Sequence, residues 1–187
     1  DTGQIEYPAS QTTPEAPDLQ GILRKMADAG VEYCLMEVSS HGLSLGRVRE
    51  TTFEVAVFTN LTQDHMDYHG TLEDYYQVKR SLFLDYPVGQ AVVNLDDPQG
   101  VRLWSDVKKQ LPGASGITFG ITPEADVRAQ DVEGDGSGQR FRVTAPGVDV
   151  SVHLRLFGRH NISNALAATA ASLALGIPPE AVAEGLG

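Results

Sequence analysis

The sequence is poor in several features that mark large protein classes. It has one cysteine among its 187 residues, Cys34, so an intramolecular disulfide is excluded and a reducing compartment is favoured. Because Cys34 lies inside an apolar run, we expect its thiol to be buried. No stretch approaches the roughly 18 consecutive apolar residues of a membrane-spanning helix. These absences favour a cytoplasmic globular protein without membrane insertion.

Basic residues are also scarce. The chain has 14 lysines and arginines against 25 aspartates and glutamates, which gives a net charge of −11. This balance argues against a nucleic-acid partner, which would need a basic stripe on the surface. It does not exclude an anionic small molecule, because backbone dipoles or a bound cation can reverse the field within a cleft.

A phosphate-binding loop is absent as well. The pattern G-x-x-x-x-G-K-[ST] does not occur, and no glycine is followed by lysine. The sequence begins with Asp1 rather than methionine, and we expect it to be one part of a longer protein. Its 187 residues, 41% of them hydrophobic, suit one domain with a sizeable core.

Alternating apolar runs and amphipathic stretches predict an α/β fold. A first helix is expected to open at Thr12-Thr13-Pro14 and end before Gly30, with a buried side made of Leu19, Ile22, Leu23 and Met26. Strands are then predicted at 33–38, 53–58, 91–94 and 117–119, and helices at 71–84 and 98–110. Strands and helices alternating on this scale indicate a mostly parallel sheet flanked by helices.

The pattern changes after Gly120. Strands are predicted at 127–133, 139–144 and 148–156, joined by glycine-rich turns with no helix between them. They should form a small antiparallel three-stranded subsheet within about 121–156. A helix at 162–175 and a short helix from Pro178 complete one predicted domain over 1–187.

The predicted helix 71–84 carries a lysine in an unusual position. Thr71 and Asp74 form a capping-box pattern, and Lys79 falls in the middle of the apolar stripe. A lysine held there either extends its ammonium to water or loses its proton. A neutral amine can add carbon dioxide, and the resulting carbamate is an oxygen ligand suited to Mg²⁺. The residues alone favour the first alternative.

Just upstream, residues 64–69 bring two carboxylates and two imidazoles into a predicted loop. His65 and His69 have the spacing of a zinc-binding H-x-x-x-H pair, but that motif requires a helix, and Gly70 followed by the Thr71 cap favours a loop. We therefore expect His69 to make local hydrogen bonds and place it outside the site.

Polar side chains lie at the carboxyl ends of two predicted strands. Glu37 and Asn60 each lie at the carboxyl end of a predicted strand, where open α/β sheets bind ligands.

Three other motifs have simpler interpretations. Ser39-Ser40-His41 lacks the G-x-S-x-G context of a serine nucleophile and favours a substrate-binding loop. Later, Asn161 and Asn164 share a helix face, with capping by Asn161 as the alternative. Asp97 before Pro98 indicates the start of a helix.

Several of these motifs occur in an order that resembles a known family. The run 36–41 (MEVSSH), the run 59–70 (TNLTQDHMDYHG) and Lys79 resemble the central domain of the Mur ligases. Within that family the chain is most similar to the MurE branch, which adds the third residue of the peptidoglycan peptide. The resemblance implies a P-loop, Rossmann-like domain whose first strand and P-loop lie upstream. It also implies an N-terminal uridine-nucleotide domain and a C-terminal domain beyond this sequence.

The resemblance also implies roles for particular residues. Glu37, His65 and a carbamate on Lys79 would hold Mg²⁺ and form the catalytic set. The residues matching the contacts to UDP-MurNAc-dipeptide are Gln11, Thr12, Thr13, Ser39 and Arg47, whereas Leu45 departs from the glutamine often found at its position. Asn60, Asn161 and Asn164 would lie at the nucleotide, which is ATP.

The implied function of the full-length parent, a bacterial cytoplasmic enzyme, is ATP-dependent amide ligation through an acyl phosphate, and we expect the isolated chain to be inactive. Three alternatives stay open. One is another Mur or folylpolyglutamate synthase-like ligase. A second is a metal-dependent hydrolase using His65, His69, Asp64 and Asp67, and a third is a non-catalytic nucleotide-binding module. The sequence does not indicate which amino acid is added.

Overall fold

The computed structural model describes residues 11–62 and 66–187, with the backbone alone for 66 and 67. The described chain divides into two compact units. The first takes residues 11–52 and 66–86, and the second takes 53–62 and 87–187. No helix in the described part of the chain is both long and apolar enough to cross a membrane.

The first unit is helical. Its helices are α1 (Ala16–Asp28), α2 (Ser40–Ser44), α3 (Met66–His69) and α4 (Leu72–Leu84). Helix α1 begins later than predicted, because Thr13 is held by hydrogen bonds to the 37–39 segment instead of opening the helix. Only Leu19 of its predicted apolar side is fully buried. The predicted stop at Gly30 is confirmed, with a left-handed φ of 75° that glycine tolerates.

Helix α4 forms as its sequence predicts. The Thr71 hydroxyl accepts a hydrogen bond from the Asp74 N–H at 3.0 Å and donates to the Asp74 carboxylate at 2.6 Å. Tyr75 and Tyr76 are buried on the apolar face, together with Leu82 and Phe83. The four residues before Gly70 form the short helix α3 instead of the predicted loop.

The buried strand predicted at 33–38 does not form. The segment has no regular secondary structure, and the side chains of Tyr33 and Leu35 are 55% and 93% exposed. Cys34 is exposed too, so the prediction of a buried thiol is wrong. An apolar run becomes a strand only when a neighbouring strand accepts and donates its backbone hydrogen bonds, and the run itself does not supply that neighbour.

The second unit is built on one six-stranded sheet with strand order β1-β2-β3-β4-β5-β6. Its elements are β1 (Phe53–Phe58), β2 (Val88–Asn94), α5 (Pro98–Gln110), β3 (Ser115–Gly120), β4 (Val127–Asp135), β5 (Gly138–Ala145), β6 (Val148–Leu154), α6 (Arg159–Ala174) and α7 (Pro179–Leu186). Strands β1 to β4 are parallel, and β4 to β6 form the predicted antiparallel meander. The α/β prediction is therefore confirmed.

The meander continues the parallel sheet, because β4 pairs with the end of β3. Thr118 and Asp126 hold this junction. The Asp126 carboxylate accepts hydrogen bonds from the Thr118 N–H at 2.9 Å and from its hydroxyl at 2.7 Å. The Asp126 N–H in turn donates to the Thr118 hydroxyl at 3.0 Å. These bonds let a short connection join two parallel strands.

Both faces of β2 are covered. Val92 and Val93 are consecutive, so their side chains point to opposite faces, and both are fully buried. The face of Val92 packs against α6 through Ile162 and Leu166. Helix α5 also packs against β2. Burial on both faces explains the continuous apolar run of this strand.

Candidate functional site

The predicted substrate-binding residues Thr13 and Ser39 contact each other in the first unit. Thr13 is fully buried. Its hydroxyl donates to the Glu37 carbonyl oxygen at 2.9 Å and accepts from the Ser39 N–H at 2.9 Å, with the Ser39 hydroxyl 3.2 Å away. Because a buried hydroxyl is costly unless it is hydrogen-bonded, this residue fixes the path of 37–39.

Arg47 extends the same cluster. One guanidinium nitrogen donates to the Thr13 carbonyl oxygen at 3.1 Å, and the other forms an ion pair of 2.7 Å with the Glu15 carboxylate. The Arg47 side chain is 14% exposed, so this charged group is largely removed from water. Its Nε–H is buried and meets no acceptor within the described residues. A buried donor without an acceptor is costly, and the planar guanidinium as a whole is a group suited to binding an anion.

The serines at 39 and 40 do not form a nucleophile with His41. The Ser39 hydroxyl caps α2 by accepting from the Gly42 N–H at 3.1 Å. A Cβ on Gly42 would lie 2.9 Å from the Thr13 Cβ, so only glycine allows this close packing. Ser40 is buried, and its hydroxyl is hydrogen-bonded to the imidazole of His69 at 2.8 Å.

His69 connects this loop to helix α4. Its ring stacks on Tyr75, with the ring centroids 4.6 Å apart and the planes at 11°. The Lys79 ammonium lies over the same Tyr75 ring, 5.3 Å from its centroid. The prediction that Lys79 lies on the apolar side of α4 agrees with its half-buried position. Contrary to the prediction, the hydrogen bond of the His69 imidazole is not local, because its partner Ser40 lies 29 positions away, and the ring also stacks on Tyr75, the residue under Lys79.

The predicted metal ligands are only partly described. Glu37 is exposed in the 33–38 segment and Lys79 is half-buried on α4, whereas His65 lies outside the described residues. No group of three or more histidine, cysteine or acidic residues in the described part of the chain could hold a metal ion. The Glu37 carboxylate, and a carbamate if Lys79 were so modified, would supply the hard oxygen ligands that Mg²⁺ prefers. Because the strand predicted at 33–38 does not form, Glu37 does not lie at a strand end, but its side chain is exposed to solvent. By their chemistry, the Glu37 carboxylate and a carbamate on Lys79 would fit Mg²⁺.

The outermost predicted substrate-binding residues, Gln11 and Thr12, are exposed next to the buried Thr13. Leu45, which departs from the glutamine of the resembling family, is 59% exposed at the end of α2. Seven described residues of the predicted site belong to the first unit, namely Gln11, Thr12, Thr13, Glu37, Ser39, Arg47 and Lys79.

The predicted nucleotide-binding residues belong to the second unit, where loops follow the carboxyl ends of β1, β2 and β3. The Asn94 side chain donates to the Thr59 carbonyl oxygen at 2.7 Å and to the Ser163 hydroxyl at 3.4 Å. Asn60 is exposed directly after Thr59. This contact brings the loop of Asn60 to the first turns of α6.

Helix α6 begins at Arg159, three residues earlier than predicted, with Gly158 at its N-cap. Asn161 therefore does not cap the helix, and its amide donates to the Phe157 carbonyl oxygen at 2.8 Å. Asn164 is exposed one turn further along the helix. The shared helix face predicted for Asn161 and Asn164 is retained.

Two acidic residues after β2 organise the neighbouring loops. The Asp96 carboxylate accepts from the Ile121 and Thr122 N–H groups at 2.9 and 3.0 Å. Asp97 caps α5 through the Gln99 N–H at 2.7 Å. The sequence predicted that a helix starts at Asp97. It did not predict the roles of Asn94 and Asp96, because their hydrogen bonds join residues distant in the chain and no local pattern indicates them.

Comparison with known proteins gives the family. The Mur ligase middle domain model matches residues 2–172. A UDP-N-acetylmuramoyl-L-alanyl-D-glutamate–2,6-diaminopimelate ligase from Alkaliphilus metalliredigens is 41% identical over 98% of this chain and 37% of its own length. The ligase of the same name from Geobacillus thermodenitrificans is 44% identical over 98% of this chain and 38% of its own length.

Solved structures agree. The structure of a UDP-N-acetylmuramoyl-L-alanyl-D-glutamate–2,6-diaminopimelate ligase superposes with a TM-score of 0.86 and 31% identity, over 94% of this chain and 36% of that one. A MurF structure from Acinetobacter baumannii gives 0.62 and 27%, over 71% of this chain and 28% of that one. The chain thus spans less than two-fifths of the length of the curated relatives described above. It belongs to the Mur ligase middle-domain family.

Proposed function

We propose that this chain is the central domain of an ATP-dependent ligase that joins an amino acid to UDP-N-acetylmuramoyl-L-alanyl-D-glutamate. The substrate comes from the names of relatives at about 40% identity, which cover 98% of this chain. Those names also make 2,6-diaminopimelate the first amine to test. The remaining domains of the parent protein would complete the substrate sites.

The reaction has two steps. An oxygen of the substrate carboxylate attacks the γ-phosphorus of ATP, which forms an acyl phosphate and releases ADP. The amine of the amino acid then attacks the acyl carbon, so that the C–N bond forms, the C–O bond to phosphate breaks and a proton leaves the nitrogen. Activation is needed because an unactivated carboxylate offers only a poor leaving group, and stabilising the developing charge is the main task of the protein.

One observation carries the proposal, namely the cluster formed by Thr13, Ser39 and Arg47. These residues were predicted to contact the UDP-MurNAc-dipeptide from separate stretches of sequence, and hydrogen bonds of 2.9 to 3.1 Å join them. The substrate is an anion with phosphate and carboxylate groups. The planar, charged guanidinium of Arg47, 14% exposed, is a donor group suited to such an anion.

Glu37, His65 and Lys79 as its carbamate are the residues that would hold Mg²⁺. When bound, the ion supplies positive charge that offsets the phosphate oxygens. The exposed carboxylate of Glu37 and the half-buried side chain of Lys79 are compatible with this role. Asn60, Asn161 and Asn164 would bind ATP by their amide donors and acceptors, from the loop after β1 and from α6.

The test is phosphate release by the full-length parent enzyme, supplied with ATP, UDP-MurNAc-dipeptide and a panel of amino acids. We expect release to require the dipeptide and one amino acid, and to be lost in Lys79→Ala. Lys109→Ala is the matched control, because Lys109 is an exposed lysine on α5. We expect no release from the 187-residue chain alone.

Other results would change the proposal. Full activity in Lys79→Ala would remove the lysine from the reaction and leave it as a residue whose ammonium extends to water. No release with any amino acid would contradict the ligase and favour a binding module. Release with a different carboxylate substrate would place the parent enzyme in another branch of the family.

A further inference from the structure

A buried pair of polar side chains in the first unit has no role in the proposed reaction. Ser40 is 4% exposed and His69 is 8% exposed, and their hydrogen bond of 2.8 Å joins α2 to the end of α3. Burying a hydroxyl and an imidazole costs free energy even when they bond to each other. Two apolar side chains would fill the same space at a lower cost in free energy. A polar pair at this position therefore indicates that a specific geometry is needed here, and not only stability.

The pair lies between two groups of predicted functional residues. On one side, Ser40 directly follows Ser39, whose hydroxyl caps α2 and whose N–H donates to Thr13. On the other side, the imidazole of His69 stacks on Tyr75, which lies under the Lys79 ammonium. All these residues belong to one compact unit.

The Tyr75 ring is fixed by its neighbours. It is 7% exposed, and a nearly parallel ring 4.6 Å away limits its rotation. A cation over an aromatic face is attracted to it only while the face is correctly oriented. The orientation of Tyr75 is therefore one determinant of the position of the Lys79 nitrogen, and His69 is one determinant of that orientation.

We propose that His69 is a positioning residue that couples the substrate loop at Ser39 and Ser40 to Lys79 through the ring of Tyr75. Its hydrogen bond holds the loop, and its stacking holds the tyrosine. The consequence for the reaction rests on the proposed ligase function. The coupling itself is a property of this chain and can be measured without any reaction.

The lysine signals give a direct measurement. The sequence has four lysines, namely Lys25, Lys79, Lys108 and Lys109. In the 187-residue chain labelled with ¹³C at lysine Cε, the Hε protons of Lys79 should be shifted upfield by the ring current of Tyr75. The Lys79→Arg variant assigns the signal. Lys108 is an internal control, because its ammonium lies 4.5 Å from the centroid of the Trp104 ring.

Three variants separate the contributions. His69→Gln removes the stacked ring and retains a hydrogen-bonding group, so the Lys79 Hε signal should move towards the position of an exposed lysine. His69→Phe keeps the stacking, so the signal should stay shifted. Tyr75→Leu should abolish the shift completely. The Lys108 signal should not move in any of them.

Kinetics of the full-length parent enzyme then test the consequence. In His69→Phe the substrate loop loses one hydrogen bond, so the KM for UDP-MurNAc-dipeptide should rise about tenfold while kcat changes little. In His69→Gln the loop keeps a hydrogen-bonding group, so the KM should rise less than in His69→Phe. A residue with only a structural role would reduce the amount of folded enzyme and leave both constants of the folded fraction unchanged.

The results that overturn the proposal are specific. An unmoved Lys79 signal in His69→Gln, with the Lys108 signal and the backbone spectrum intact, would show that Tyr75 does not depend on His69. If His69→Gln does not fold, Ser40→Ala tests the same coupling, and an unchanged KM there would reject it. An inactive wild-type enzyme would contradict the ligase function alone, because the lysine spectra would still decide the coupling.

Discussion

The Asp97 carboxylate accepts a hydrogen bond from the backbone N–H of Leu61 at 2.9 Å. The two residues follow different strands, β1 and β2, so the bond joins the loops at the carboxyl ends of neighbouring parallel strands. The other carboxylate oxygen of Asp97 caps α5 through Gln99 and Gly100. One side chain therefore fixes both a helix start and the loop that carries Asn60.

The double role of Asp97 predicts a large effect of its removal. Asp97→Ala loses the cap and leaves the buried Leu61 N–H without its acceptor, so the free energy of unfolding should fall by about 1–3 kcal/mol. Asp97→Asn retains one acceptor oxygen and should lose less. Urea denaturation followed by circular dichroism measures both. Equal stability of Asp97→Ala and the wild type would contradict the contact.

Two glycines in helices should respond to alanine in opposite directions. A Cβ on Gly100 in α5 would lie 1.8 Å from the Asn94 carbonyl oxygen, so Gly100→Ala should destabilise the protein by about 3 kcal/mol or more, the upper end for overpacking. Gly21 in α1 has open space around its Cβ position, and Gly21→Ala should stabilise by about 0.5–1 kcal/mol. Thermal denaturation compares them. A loss of stability in Gly21→Ala would show that the space is occupied.

Local signals predicted the elements whose determinants are local. Asp97-Pro98 gave the start of α5, and Thr71 with Asp74 gave the start of α4, because a cap needs only residues within one turn. The strand predicted at 33–38 failed, since strand formation depends on partners distant in sequence.

The candidate site also depends on contacts between residues distant in sequence, which local patterns do not predict. The contact between Ser40 and His69 joins residues 29 positions apart, and no spacing rule indicates it. The bond between Thr13 and the Glu37 carbonyl spans 24 positions. Resemblance to a family predicted Thr13 as a substrate-binding residue, whereas periodicity alone would have placed it at the start of a helix. Such contacts follow from the packing of the whole unit.

Arg47 should determine substrate affinity through its planar donor group. Arg47→Lys keeps the charge but loses the Nε–H and the paired geometry, so the KM of the parent enzyme for UDP-MurNAc-dipeptide should rise about 10- to 100-fold, as for a hydrogen bond to a charged group. Steady-state phosphate release measures it.

The matched control for this experiment is Arg49→Lys, because Arg49 is exposed two residues later. It should leave KM within about twofold, as expected for a surface substitution. An equal rise in both variants would indicate general electrostatic attraction, and an unchanged KM in Arg47→Lys would remove Arg47 from the substrate site.

The turn between β4 and β5 should show a specific pH dependence. The Ser137 hydroxyl, 2.5 Å from the Asp135 carboxylate, lowers the pKa of Asp135, and the Ser137 N–H adds to the effect. Because the folded pKa lies below the unfolded one, the stabilisation is present above the unfolded pKa and is lost as pH falls through the folded pKa.

Ser137→Ala should therefore raise the pKa of Asp135 towards its ordinary value. Titration of the side-chain carboxyl ¹³C signals measures the change. Glu124 is the internal control, because its own pKa is lowered by the Thr122 hydroxyl and should not move. An unchanged pKa of Asp135 in the variant would assign its shift to the retained N–H of residue 137, with Arg140 and His153, instead of to the hydroxyl.

Carbamylation of Lys79 should depend on a divalent cation. The lysine ammonium lies over the face of the Tyr75 ring, which attracts a cation and repels an anion. Conversion to a carbamate replaces the attraction with repulsion, so a bound Mg²⁺ is needed to offset it. In the full-length enzyme supplied with ¹³C-bicarbonate, the carbamate carbon signal should appear on addition of Mg²⁺ and be absent in Lys79→Arg, whereas Lys109→Arg should retain it. A carbamate signal of equal intensity without the cation would show that the tyrosine ring does not oppose the modification.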